Sequence, residues 1–138
     1  MAFLLDTVTL SEVTKRRANA AVIAWIVATA PDQMYLSALT IGEIRRGIVI
    51  RRRRDPVAAE RLDRWLAAQQ ALFADRVLAV DATVADCWGN KHASGTTSPR
   101  DGLIAATAIV HGLTVATRNV RDFSRTGVKL VNPWEDKP

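Results

Sequence analysis

Three acidic residues, Asp6, Glu43 and Asp101, stand far apart in the chain, each beside a point where the sequence pattern turns into a helix. Open α/β sheets place their sites in the crevice beyond the carboxyl ends of the strands. Asp6 and Glu43 closely follow strand candidates, and Asp101 opens a helix whose N-terminus can face the same edge. Three carboxylates gathered there would repel one another unless one stayed protonated or a cation compensated them. Mg²⁺ suits that setting, because it takes oxygen ligands, uses one or two carboxylates directly and keeps several waters. A water activated by such an ion can attack a phosphodiester while the ion stabilises the charge that builds up.

Each acid also has a purely local explanation. Asp6 can cap a helix over residues 7–13. Thr40 and Glu43 have the spacing of a capping box, as do Ser98 and Asp101, so either acid could simply reach back to a backbone amide. Between Ser98 and Phe123, Ser98-Pro99 can open a helix and Gly112 can close it. Leu113 to Thr117 then reads as a short buried strand, and Asn119 and Asp122 follow it in a polar turn.

Positioning these groups requires a particular set of elements. Short apolar runs at 3–5, 34–38, 77–80, 113–117 and 128–131 alternate with amphipathic segments, which predicts an α/β domain with a mainly parallel central sheet flanked by helices. A single domain over residues 1–138 is expected. Asn19 can cap a helix with Val22, Ile23, Ile26 and Val27 on one face, stopped at Pro31-Asp32. Ile41, Ile44 and Ile48 form a stripe on the next helix. Leu62, Trp65, Leu66, Leu72 and Phe73 line a long helix after Asp55-Pro56. Trp65 could stack a nucleobase, although this spacing is that of core packing. Asp81 reads as the cap of a helix holding Val84, Cys87 and Trp88. His92 reads as a surface residue, and His111 as a helix-end group before Gly112.

Composition narrows the classes further. The 138 residues carry 19 Lys and Arg against 14 Asp and Glu, a formal charge of +5, and 49% of them are hydrophobic. That is enough for a core, and the basic excess favours a polyanionic partner such as RNA. Arginine dominates the excess, and its planar fork matches phosphate. The run Arg51 to Arg54 reads as a solvated helix end that phosphate could neutralise. No apolar run reaches the roughly 18 residues of a membrane span, and no secretory signal pattern opens the chain, so a cytoplasmic location is expected. Cys87 is the single cysteine, with neither a disulfide partner nor zinc-site spacing. There is no repeat and no glycine-rich phosphate loop. Residues 136–138 are expected to fray.

The segments Leu4-Leu5-Asp6-Thr7, Leu36 to Gly47, Asp101 to Ala108, Leu113 to Asn119 and Asn132-Pro133-Trp134 closely resemble, in the same order, those of the PIN-domain ribonucleases. The resemblance is to the VapC toxins of type II toxin-antitoxin pairs and their FitB-like relatives. It implies a PIN fold and endonucleolytic cleavage of RNA dependent on Mg²⁺ or Mn²⁺. Asp6 and Asp101 would be the principal metal-binding acids, and Glu43 a further acid positioning metal or water. The family's fourth acidic position falls at Asn119, with Asp122 a close alternative. Val8 stands where many relatives carry Asn, so Thr7 or water would have to organise that side of the pocket.

The resemblance also implies partners. Such toxins dimerise and are held inactive by a cognate antitoxin protein, through which they reach operator DNA. Trp65, Leu66 and the Ile41-Ile44-Ile48 stripe are possible contributors to the groove for that antitoxin. The alternatives are a catalytically weak module acting through antitoxin-linked DNA binding, and a PIN nuclease working in RNA processing or DNA repair.

Overall fold

A computed structural model describes residues 1–135 except Ser94 and Thr96, so the expected fraying of 136–138 lies outside the described residues. Five parallel strands form one sheet in the order β3-β2-β1-β4-β5: β1 (Phe3–Leu5), β2 (Met34–Ser37), β3 (Val77–Leu78), β4 (Thr114–Ala116) and β5 (Leu130–Val131). The chain builds outward from β1 through β2 to β3, then returns to place β4 against the other side of β1. Leu4 pairs with Tyr35 on one side and Val115 on the other. The strand order therefore reverses between β1 and β4, and the carboxyl ends of these two strands open the crevice where sheets of this kind bind ligands.

Seven α-helices connect the strands: α1 (Thr7–Ser11), α2 (Ala20–Ala28), α3 (Ala38–Arg52), α4 (Pro56–Phe73), α5 (Ala82–Lys91), α6 (Pro99–His111) and α7 (Val120–Phe123). Capping fixes most of their starts. Asn19 Oδ1 accepts from the amides of Ala21 and Val22, Asp55 from that of Ala58 and Asp81 from that of Val84. Gly112 ends α6 at φ 67°, a left-handed conformation that glycine adopts without steric cost.

Two apolar clusters cover the sheet. One joins Leu5, Met34 and Leu36 to Trp25, Ile44, Ile48, Leu66 and Phe73, while the other joins Leu4 and Val115 to Ile104, Ala105, Ala108 and Phe123. Burying each large aliphatic side chain in them contributes ~1.5–3 kcal/mol. Leu66 is fully buried, and Ile41 and Trp65 pack against the first cluster. Ile44, Ile48 and Leu66 are therefore core, while Ile41 and Trp65 are half-buried at its edge.

Two readings of helical periodicity, one of a cap and one of exposure are corrected. Val27 is 80% exposed, because the inward face of α2 runs through Val22 and Trp25. Leu72 is 61% exposed, because Leu66 and Phe73, seven residues apart, carry the face of α4. The capping box at Thr40 and Glu43 does not form. Ser37 caps α3 by accepting from the Leu39 amide, which puts Thr40 inside the helix and frees the Glu43 carboxylate. His92 is half-buried at the end of α5 rather than a surface group, with Nε2 enclosed.

Candidate active site

Asp6 leaves β1 and immediately caps α1, so one carboxylate has two uses. Its Oδ1 accepts from the Thr9 amide at 2.9 Å, and its Oδ2 accepts from the Thr117 hydroxyl at 2.6 Å. Local capping and a place at the sheet edge are thus compatible. Thr117 follows β4 directly and is fully buried. Its oxygen also accepts from the Asn119 amide at 2.9 Å, which bends the chain so that Asn119 faces back toward Asp6. The Asn119 side chain makes no capping bond to α7 and lines the pocket.

Glu43 reaches the pocket from the second turn of α3. Its Oε1 accepts from the Thr7 hydroxyl at 2.9 Å, and its Oε2 lies 2.9 Å from Nη1 of Arg100. A hydroxyl has one hydrogen, and this contact uses it, so Thr40 Oγ1 at 3.3 Å from Thr7 is a neighbour in the chain of hydroxyls. Thr7 therefore organises the side of the pocket where Val8, 40% exposed, offers only an apolar wall. Asp101 comes from the first turn of α6, whose start is set by Ser98 accepting from the Asp101 amide at 3.2 Å.

Asp6, Thr7, Val8, Glu43, Arg100, Asp101, Ile104, Asn119 and Phe123 enclose one small pocket of about 70 Å³. The three acids and Asn119 are brought together there. Asp122 is not: it faces an adjoining cleft on the other side of Asp101. Burial pushes the Asp6 carboxyl above its ordinary value of 3.8. The hydrogen bonds from Thr117 and Thr9 oppose the rise, and the charge of Asp101 adds to it.

Among the described residues no three of His, Cys, Asp or Glu stand close enough to make a ready ion cage. The donor set nevertheless fits a hard divalent ion. The carboxylates of Asp6 and Asp101, an amide oxygen and a pocket with room for water match the preference of Mg²⁺ or Mn²⁺ for oxygen. Asp6 and Asp101 would hold the ion directly. Glu43, already engaged by Thr7 and Arg100, stands beside them.

Sequence reasoning missed Thr117 and Arg100. Both had a signal: Thr117 is the polar residue that ends the β4 run, and Arg100 immediately precedes Asp101 in the first turn of α6. Glu12 was missed too. It is 3% exposed and accepts from the Asn19 amide at 2.9 Å while pairing with Lys15 at 3.0 Å. It joins the end of α1 to the start of α2.

A PIN-domain family model matches residues 3–129. The toxin FitB of Neisseria gonorrhoeae is 36% identical, the match covering 96% of this chain and 99% of that protein. The VapC ribonuclease Y4jK of Sinorhizobium fredii is also 36% identical, over 96% of this chain and 97% of its own length. Among solved structures, FitAcB from Neisseria gonorrhoeae superposes with a TM-score of 0.89 at 34% identity, covering 97% of this chain and 99% of that one. FitAB bound to an IR36 DNA fragment gives 0.83 at 32% identity, over 99% and 98%. The chain belongs to the PIN-domain family, in the branch that holds the FitB and VapC toxins.

Proposed function

We propose that this chain is a metal-dependent endoribonuclease and the toxin of a type II toxin-antitoxin pair. The observation that carries the reading is the convergence of Asp6, Glu43 and Asp101, from β1, α3 and α6, on one pocket at the reversal of the sheet. A bound Mg²⁺ or Mn²⁺ would supply Lewis acidity and a water acidified toward hydroxide. Asp6 and Asp101 would hold the ion. The Thr117 hydroxyl and Thr9 amide hold the Asp6 carboxylate in one orientation, leaving its remaining lone pairs for the ion. Glu43 accepts the proton of the attacking water, its orientation fixed by the Thr7 hydroxyl. Asn119 offers an amide where a fourth carboxylate would add charge, so the site holds fewer negative charges against an anionic substrate.

Cleavage of RNA with Mg²⁺ or Mn²⁺ by the purified protein tests the reading. Asp6→Asn and Asp101→Asn should each abolish cleavage, and undiminished metal-dependent cleavage by both variants would overturn the assignment. The whole chain acts as one domain in the cytoplasm, paired with an antitoxin that carries it to operator DNA and assembling as a homodimer. The FitAB structure bound to a DNA fragment supports the link to DNA. No helix among the described residues is long and apolar enough to cross a membrane.

A further inference from the structure

The acidic pocket is too small for a nucleotide. At about 70 Å³ it falls well below the roughly 300–1,000 Å³ of clefts that enclose small organic ligands. An adjoining cleft of about 450 Å³ lies within that range and shares Arg100 and Asp101 with it. Its other walls are Thr97, Ser98, Arg121, Asp122 and Arg125. Arg121 and Arg125 are exposed, and among the described residues neither guanidinium has an ion-pair partner. Of the basic residues along α3 and at its end, Arg45, Arg51 and Arg52 are paired with Asp63, Asp55 and Glu60 on or before α4. Arg53 and Arg54 have no ion pair among the described residues but lie away from the acidic pocket. Three arginines against the two carboxylates of Asp101 and Asp122 leave the cleft with a formal +1, while the site beside it is acidic.

We infer that the cleft of Arg100, Arg121 and Arg125 seats the backbone phosphates of the RNA strand next to the bond being cut. This rests on the proposed nuclease reading and assigns the strand's path out of the same site. Guanidinium groups match phosphate oxygens in pairs, which suits this lining. The lining holds no aromatic ring on which a base could stack, so the contact is to the backbone and positions the strand without reading its sequence. Arg100 links the two cavities, because the group that meets Glu43 also lines the phosphate cleft. Asp122 lies in the cleft as a counter-charge that limits how tightly the product is held.

Full-length wild type, Arg121→Gln/Arg125→Gln and a control of equal charge change, Arg53→Gln/Arg54→Gln, would be compared with single-stranded RNA in EDTA and with Mn²⁺. The first pair should weaken RNA binding about tenfold near 0.1 M salt and lower the salt slope by about 1.4, at ~0.7 per phosphate lost. With Mn²⁺, KM should rise while kcat at saturating RNA holds, for oligonucleotides of unrelated sequence alike. A loss no larger than the control's, in a wild type that binds RNA, would overturn the cleft. So would retained RNA binding with selective loss of binding to an antitoxin, which would make it a protein-docking surface. A wild type that binds RNA with these dependences but does not cleave it would overturn the nuclease reading and leave the cleft standing as an RNA site.

Discussion

Thr117 donates its hydroxyl hydrogen to Oδ2 of Asp6 at 2.6 Å, joining residues 111 positions apart where β1 and β4 end side by side. The bond is buried, and the same hydroxyl oxygen accepts from the Asn119 amide. Thr117→Val removes both at nearly constant volume. Leaving a buried carboxylate oxygen and an amide unpaired costs about 1–3 kcal/mol each, and more while the carboxylate is charged. Urea denaturation should show a loss in that range, and RNA cleavage should fall, with Thr117→Ser restoring most of both. A Thr117→Val protein of wild-type stability would remove this bond from the account of the site.

The pair of Glu43 and Arg100 is half in solvent, with side-chain exposures of 25% and 63%. Such a pair contributes roughly 0–1 kcal/mol, so Arg100→Gln should leave the melting temperature nearly unchanged. Its effect should instead appear in metal binding, since the guanidinium competes with an ion for the electrostatic field of Glu43. Calorimetric titration with Mn²⁺ should show tighter binding in Arg100→Gln than in wild type. Weaker binding would mean that Arg100 organises Glu43 for the ion.

Two acids should push stability in opposite directions with pH. Glu12 titrates below its ordinary 4.5, chiefly because it accepts from the Asn19 amide, with Lys15 and Arg118 adding to the effect. A depressed carboxyl stabilises the fold above its unfolded value and loses that contribution as pH falls through the folded value. Glu12→Gln should therefore flatten the acid limb of thermal melts recorded from neutral pH downward.

Asp6 has the reverse sign. Its folded value is raised, so the contribution it makes when protonated is present below the ordinary 3.8 and is lost as pH rises through the folded value. Metal-free protein should lose stability over that rise, and added Mn²⁺ should restore it at neutral pH by binding the ionised form. Asp6→Asn should remove both the pH dependence and the Mn²⁺ response in the same melts.

Gly102 follows Asp101 and packs against α5. A methyl group there would sit 2.8 Å from Cδ1 and Nε1 of the Trp88 ring. Helix propensity favours alanine over glycine by about 1 kcal/mol, but overpacking costs about 1–3 kcal/mol. The clash should win, so Gly102→Ala should destabilise the protein and displace Asp101. Gly42→Ala, where nothing lies within 4 Å of the added carbon, should be neutral or stabilising. A stabilised Gly102→Ala would show that Trp88 swings aside.

Much of this was legible in the sequence because local patterns and global fold agree. The strands around Leu4, Leu36 and Val115 are short apolar runs buried on both faces, which is how parallel sheets read. Convergence of the acids followed from their places beside strand ends. What escaped had weaker local marks. Val27 and Leu72 satisfied a helical period that tertiary packing overrode. The Thr40 box failed because Ser37 begins the helix earlier, a choice settled by where β2 must end. Arg100 looks in sequence like any surface charge, and only the approach of α3 to α6 gives it Glu43 as a partner.

The sheet places its earliest strand between two later ones, with β1 paired to both β2 and β4. During synthesis the segment carrying Asp6 and Glu43 emerges long before Thr117 exists to complete the crevice. A growing chain therefore has no assembled pocket until most of its length has been translated, and its central pairing is of the slow, long-range kind. Cutting the chain anywhere between α3 and β4 should leave fragments without a site, however well either half keeps its helices.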